Sequence, residues 1–126
     1  MNTAKKLGIW MDHANAYPTE SGTHTRKLSS IQSRFTHKDK VNALNKSESL
    51  MHNQEQHEQS AFYKEVGAVM RNYDRVLLFG PTDAKTELLN IVRADHRFEK
   101  IGIDVEETDK MTPSEQQRFI HDHFSK

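Results

Sequence analysis

The chain is 126 residues long, 34% hydrophobic and 29% charged, with 18 basic side chains balanced by 18 acidic ones and no cysteine. A chain of this size encloses one core rather than two, and the missing cysteines exclude a disulfide framework, a thiolate nucleophile and a cysteine-based zinc site. Zero formal charge excludes a whole-molecule field that would hold nucleic acid, and no bilayer-spanning run or secretory leader is visible, so residues 1–126 read as one cytoplasmic domain with no membrane partner.

Lys6 to Asp12 is short and apolar, and Ala14 to Thr19 follows after a brief turn, which predicts two neighbouring antiparallel strands. Pro18 has no N–H to give a ladder, so its strand belongs near an edge. Beyond the turn at Ser21-Gly22-Thr23, Lys27 to Phe35 predicts a third, polar strand, and Thr36 to Ser49 reads as a long exposed basic loop. From Leu50 a helix is expected whose apolar stripe, Phe62, Val66, Val69 and Met70, occupies only its second half; the polar first half is expected to project from the body. Arg75 to Phe79 is the continuous apolar run of a central buried strand. Gly80-Pro81-Thr82-Asp83 turns it into a helix, with Thr82 the expected N-cap and Leu88, Leu89, Ile91 and Val92 the buried stripe. Lys100 to Glu106 alternates Ile101, Ile103 and Val105 as a strand does. Thr112-Pro113-Ser114-Glu115 is a capping box with proline at the first helical position, introducing a helix that buries Phe119, Ile120 and Phe124. The order β-β-β-α-β-α-β-α predicts an α/β fold, a ribonuclease-H-like mixed sheet of five strands with helices on both faces.

Charge is segregated along the chain. Between His24 and Lys46, six cations stand against Asp39 alone, and His37 adds charge when protonated. Several cations on one loop release counterions on binding RNA, which makes Arg26, Lys27, Arg34, His37, Lys38, Lys40 and Lys46 the candidate RNA- or ribosome-binding residues; the bland account of the same stretch is a solvated loop. Near the C-terminus Asp104, Glu106, Glu107, Asp109 and Glu115 outnumber Lys100 and Lys110, an acidic rim suited to a protein partner or a homodimer. Asp12 ends the first strand, and with Glu48, Glu55 or Glu58 from the following helix it supplies part of what a two-metal nuclease of ribonuclease-H type needs. The fourth strand, however, ends in Phe79-Gly80, and Asp83 lies beyond the turn, where it suits the positive end of a helix. None of the eight histidines has a recognised ligand spacing, and His13 beside Asp12 reads as a turn pair. Gly80-Pro81-Thr82-Asp83 is too short and too stiff for a Walker loop. No catalytic residue, metal or cofactor is therefore assigned.

The basic stretch Arg34 to Lys46 running into the helix through Phe62-Tyr63-Lys64, and the junction VLLFGPTDAKTEL from Val76 to Leu88, resemble the central domain of the archaeal and eukaryotic class I peptide release factors and their relative Pelota. The resemblance covers most of the chain. It implies a translation-associated module whose basic loop and projecting helix contact the ribosome or RNA, acting by occupying a site as a stress or hibernation factor does. Release factors of this family carry Gly-Gly-Gln at the loop tip, where paired glycines allow a backbone forbidden to other residues. Here Gly8, Gly22, Gly67, Gly80 and Gly102 are all isolated, and the nearest glutamines, Gln54 and Gln56, have no glycine beside them. Peptidyl-tRNA hydrolysis is not expected; binding is.

Overall fold

In this computed structural model, which describes residues 4–22, 26–33 and 48–125 and the side chains of the long helix from Gln59 onward, a hairpin of β1 (Lys6–Met11) and β2 (Asn15–Ser21) leads into two short strands, β3 (Arg26–Lys27) and β4 (Ile31–Gln32). The long helix α1 (Glu48–Met70), β5 (Arg75–Gly80), α2 (Ala84–Arg93), a 3-10 turn (His96–Phe98), β6 (Gly102–Glu107) and α3 (Pro113–Phe124) complete the order. One mixed sheet runs β3-β2-β1-β5-β6, with β4 also pairing on β2. β1 is antiparallel to β2 and parallel to β5, and β5 is parallel to β6. The α/β class, the mixed sheet and the alternation of elements agree with expectation; the strand count is six rather than five.

The extra strand has a local cause. The expected third strand, Lys27 to Phe35, is split into β3, opposite Thr19 and Glu20, and β4, opposite Asn15 and Ala16. The gap faces Tyr17 and Pro18. The Pro18 carbonyl accepts from Leu28 N–H at 3.0 Å, so the side of Pro18 that would carry its N–H also faces this segment. A proline cannot return that bond, and the ladder breaks there. The expected basic loop, 36–49, lies outside the described residues except for Glu48 and Ser49, which already belong to α1.

Side chains alternate across the sheet and feed two cores. Leu7, Ile9 and Met11 of β1 and Val76 and Leu78 of β5 face α1 and α2, meeting Phe62, Tyr63, Val66, Met70, Leu88 and Val92. Trp10, Leu77 and Phe79 face the other way, against Ile120 of α3. Helices therefore cover both faces. The stripe expected for α1 holds over its described side chains, with Phe62, Val66 and Met70 buried and Val69 partly buried. In α2 the stripe is narrower than expected: Leu88 and Val92 are buried, but Ile91 is 48% exposed. Lys85, three residues before Leu88 on the same face, is buried instead.

Two glycines set how closely elements approach. A Cβ on Gly8 would lie 2.5 Å from Ile120 Cδ1 and 2.8 Å from its Cγ2, so α3 can rest on β1 only because Gly8 is bare. Gly80 has φ +151°, and a side chain there would overlap the Met11 carbonyl oxygen of the neighbouring strand. The junction after β5 is thus shaped by contact with β1. Thr82 is not the cap of α2: Asp83 holds that position without a side-chain bond, and Thr82 Oγ1 accepts from Ala84 N–H at 3.3 Å. The capping box of α3 is formed as expected, with Glu115 N–H donating to Thr112 Oγ1 at 3.2 Å and Thr112 N–H to Glu115 Oε1 at 2.9 Å.

Candidate nucleic-acid interface

Of the seven candidate cations, Arg26 and Lys27 fall among the described residues; Arg34, His37, Lys38, Lys40 and Lys46 lie outside them. Arg26 and Lys27 form β3, paired to β2 on one side, and both are exposed. Their surroundings differ. Arg26 reaches Glu20 at 3.9 Å, and Glu20 also accepts from the Tyr73 hydroxyl at 2.6 Å. Burial, followed by this bond, pushes the Tyr73 phenol up to about 12. Lys27 makes no ion pair among the described residues and stands at the edge of a cleft between the start of α3 and the β1–β2 hairpin.

Asp12, considered for metal chemistry at the end of the first strand, has other work. Asp12 Oδ1 accepts from Ala14 N–H at 2.8 Å and from Asn15 N–H at 2.7 Å, which closes the turn between β1 and β2. Among the described residues no three histidine or acidic side chains are grouped to hold a metal ion. The side chains of Glu48, Glu55 and Glu58 lie outside the description. The acidic rim is largely committed within the fold. Asp104 bonds His123 at 3.0 Å and faces Arg75 at 3.4 Å, Glu107 holds Lys85 at 2.8 Å, and Glu115 serves the capping box.

Two groupings were not legible beforehand. His13 turns away from its sequence neighbour Asp12 and lies 3.3 Å from Glu87 Oε2, whose other oxygen accepts from the Tyr63 hydroxyl at 2.6 Å. The Tyr63 bond, ahead of His13, holds the Glu87 carboxyl below its usual range, while burial and Glu87 raise the Tyr63 phenol. Gln59 donates to the His13 carbonyl at 3.2 Å, so this network fastens the β1–β2 turn to α1 and α2. Lys85 donates to the Thr82 carbonyl and to Glu107, tying the ends of β5 and β6 together. α1, α2 and the 3-10 turn also border a cleft of about 270 Å³ with Lys64 and Arg71 on its walls; Arg97 there is neutralised by Asp95, whose carboxyl the guanidinium holds down to about 2.

No family model matches the chain, and no curated protein matches it in sequence. Solved structures do. Pelota of Archaeoglobus fulgidus superposes with a TM-score of 0.60 at 11% identity, over 94% of this chain and 31% of that one. Pelota of Thermoplasma acidophilum superposes with a TM-score of 0.56 at 11% identity, over 88% of this chain and 30% of that one. The fold is Pelota-like. At this identity the likeness is one of architecture, and the chain spans about a third of the length of the Pelota proteins it matches. Among the described residues of this Pelota-like domain no helix is long and apolar enough to cross a membrane.

Proposed function

We propose that the chain is a cytoplasmic, translation-associated module that binds the ribosome or RNA and catalyses nothing there. The observation that carries this reading is the Pelota-like fold over 94% of the chain, joined to the release-factor-like segments of the sequence. Contact is made by the basic run that begins at Arg26 and Lys27 on the sheet edge and continues through Arg34, His37, Lys38, Lys40 and Lys46. An exposed two-residue edge strand whose lysine has no ion pair among the described residues suits a phosphate backbone, because the cation gives up none of those on binding. Without Gly-Gly-Gln the module occupies its site and does not release a peptide.

Co-sedimentation with ribosomes across a salt series tests the reading. Binding is expected at low salt and should fall linearly in log–log terms, with the slope reduced by about one for each phosphate-contacting lysine neutralised. Replacing Lys38, Lys40 and Lys46 by glutamine together should therefore flatten the dependence. Absence of binding to ribosomes and to single-stranded RNA at low salt refutes it.

A further inference from the structure

Two buried side-chain atoms among the described residues have no hydrogen-bond partner, Trp10 Nε1 and Thr108 Oγ1. A threonine hydroxyl can rotate toward any acceptor, but an indole N–H is fixed by its ring and only donates. Trp10 is 6% exposed and lines the cleft of about 310 Å³ beside α3. Its unanswered N–H is the kind of polar group that a folded protein ordinarily satisfies.

The rest of the cleft supplies complementary chemistry. Tyr17 lies against Trp10 with ring centroids 5.6 Å apart, giving an aromatic wall. Gln116 is buried and spends its amide N–H on the Met111 carbonyl at 3.1 Å, which leaves its carbonyl oxygen to accept. Asp12 uses Oδ1 for the turn and keeps Oδ2 for a hydroxyl. Lys27 and Lys110 stand on the rim, exposed and without ion pairs among the described residues. An aromatic pair tilted by 39°, two acceptors on the lining, two cations at the mouth and a buried donor without a partner among the described residues match a planar heterocycle carrying a sugar and a phosphate. The volume is at the small end of the range of about 300–1,000 Å³ in which protein clefts hold ligands, enough for a single nucleotide.

We infer that this cleft binds one nucleoside monophosphate unit, either free or as a single unstacked nucleotide of single-stranded RNA. The base packs along Tyr17 and Trp10, a ring or carbonyl acceptor answers Trp10 Nε1, and the phosphate lies between Lys27 and Lys110. The RNA form of the inference rests on the proposed function; the free-nucleotide form does not.

Trp10 is the chain's one tryptophan, so its emission reports the cleft directly. The full chain is titrated with AMP, UMP, inorganic phosphate and a single-stranded oligoadenylate while Trp10 emission is followed. A saturable change with a nucleotide or the oligomer, and none with inorganic phosphate at equal concentration, is expected. Tighter binding of the oligomer than of AMP identifies RNA as the source, and equal binding identifies the free nucleotide. Lys110→Gln, a surface change, should weaken binding about tenfold, and Trp10→Phe, followed by calorimetry, about 5- to 10-fold, the loss of one hydrogen bond. No emission change at millimolar nucleotide or with RNA overturns the inference, as does equal saturation by inorganic phosphate. RNA or ribosome binding that leaves Trp10 emission unchanged and is indifferent to Lys110→Gln overturns the cleft and spares the proposed function. A saturable AMP signal without ribosome or RNA binding does the reverse.

Discussion

Gly8→Ala probes whether α3 is seated on β1 by the absence of a side chain. The new Cβ would stand 2.5 Å from Ile120 Cδ1 and 2.8 Å from Cγ2, inside the contact distance of two carbons by about 1 Å. Ile120 is fully buried between Leu77, Phe79 and Trp10, so it has no empty rotamer to take up. Overpacking of this kind costs about 1–3 kcal/mol, while alanine in place of glycine within a strand returns about 0.5–1 kcal/mol. A net loss of about 0–2.5 kcal/mol is expected in urea or guanidinium unfolding followed by circular dichroism. Ile120→Ala removes every atom that clashes and costs about 2–5 kcal/mol on its own. Combined with Gly8→Ala it should cost no more than it does alone, giving a coupling of about 1–3 kcal/mol in a double-mutant cycle. Since α3 also carries Gln116, the single variant should shift Trp10 emission before any unfolding. A Gly8→Ala protein more stable than the parent, or strict additivity with Ile120→Ala, refutes the seating of α3 on Gly8.

Gly80→Ala combines a forbidden φ with an overlap on the Met11 carbonyl and should lower stability by about 2–4 kcal/mol, seen as a reduced urea midpoint and loss of amide protection in β1 and β5. The Tyr73 phenol is raised from 10.0 to about 12 by burial and by its bond to Glu20. The unfolded chain therefore ionises first as pH rises. The contribution is complete below pH 10 and is lost between about pH 10 and 12, amounting to about 1–2 kcal/mol once the solvent around Glu20 is allowed for. Urea midpoints measured across that window should fall less steeply in Tyr73→Phe. Glu87 has the opposite sign: its carboxyl is depressed, so its stabilisation is present above the ordinary carboxylate range and is lost as pH falls through the folded value. Glu87→Gln should flatten the acid limb of the same measurement. Thr112→Ala removes the capping-box hydroxyl and should cost about 1 kcal/mol, with fraying of the first turn of α3 visible in hydrogen exchange.

The elements most legible in the sequence were those whose signals are local. The apolar run Val76 to Phe79, the stripe Phe62, Val66 and Met70, and the capping box at Thr112 each state their own geometry within a few residues. The split of the third strand was readable in principle, since Pro18 cannot bond on its outer side, but only once it is known which segment pairs there. Lys85 also left a trace: it stands three residues before Leu88 and seven before Val92, on the stripe itself. Its charge argued for the surface, and the compensating Glu107 comes from a strand 22 residues away. The His13–Glu87–Tyr63 network joins residues up to 74 positions apart, and no periodicity reports such a meeting. Of the candidate site, Lys27 was found by charge, whereas the wall behind it was not. Trp10 and Tyr17 border a cleft only because of where α3 begins.

That placement follows from the widths of the layers. A helix with its side chains is about 10 Å across and spans roughly two strands at about 4.8 Å spacing. Among the described residues, one face of this sheet is covered by α1 and α2 and the other by α3. α3 lies antiparallel to the parallel strands, with Phe124 near Lys6 and Arg75 at their starts and Gln116 near Trp10 at the end of β1. It packs against β1 and β2. Beside its start Trp10 and Tyr17 pair across β1 and β2, and the cleft there is bounded by Lys27 on the edge strand and Lys110 just before the helix. Among the described residues, the aromatic pair at the start of α3 thus borders the same cleft as Lys27 of the edge strand. In a fold of this size the aromatic cleft and the basic edge converge, and a single-stranded, phosphate-bearing ligand is the chemistry that both would engage.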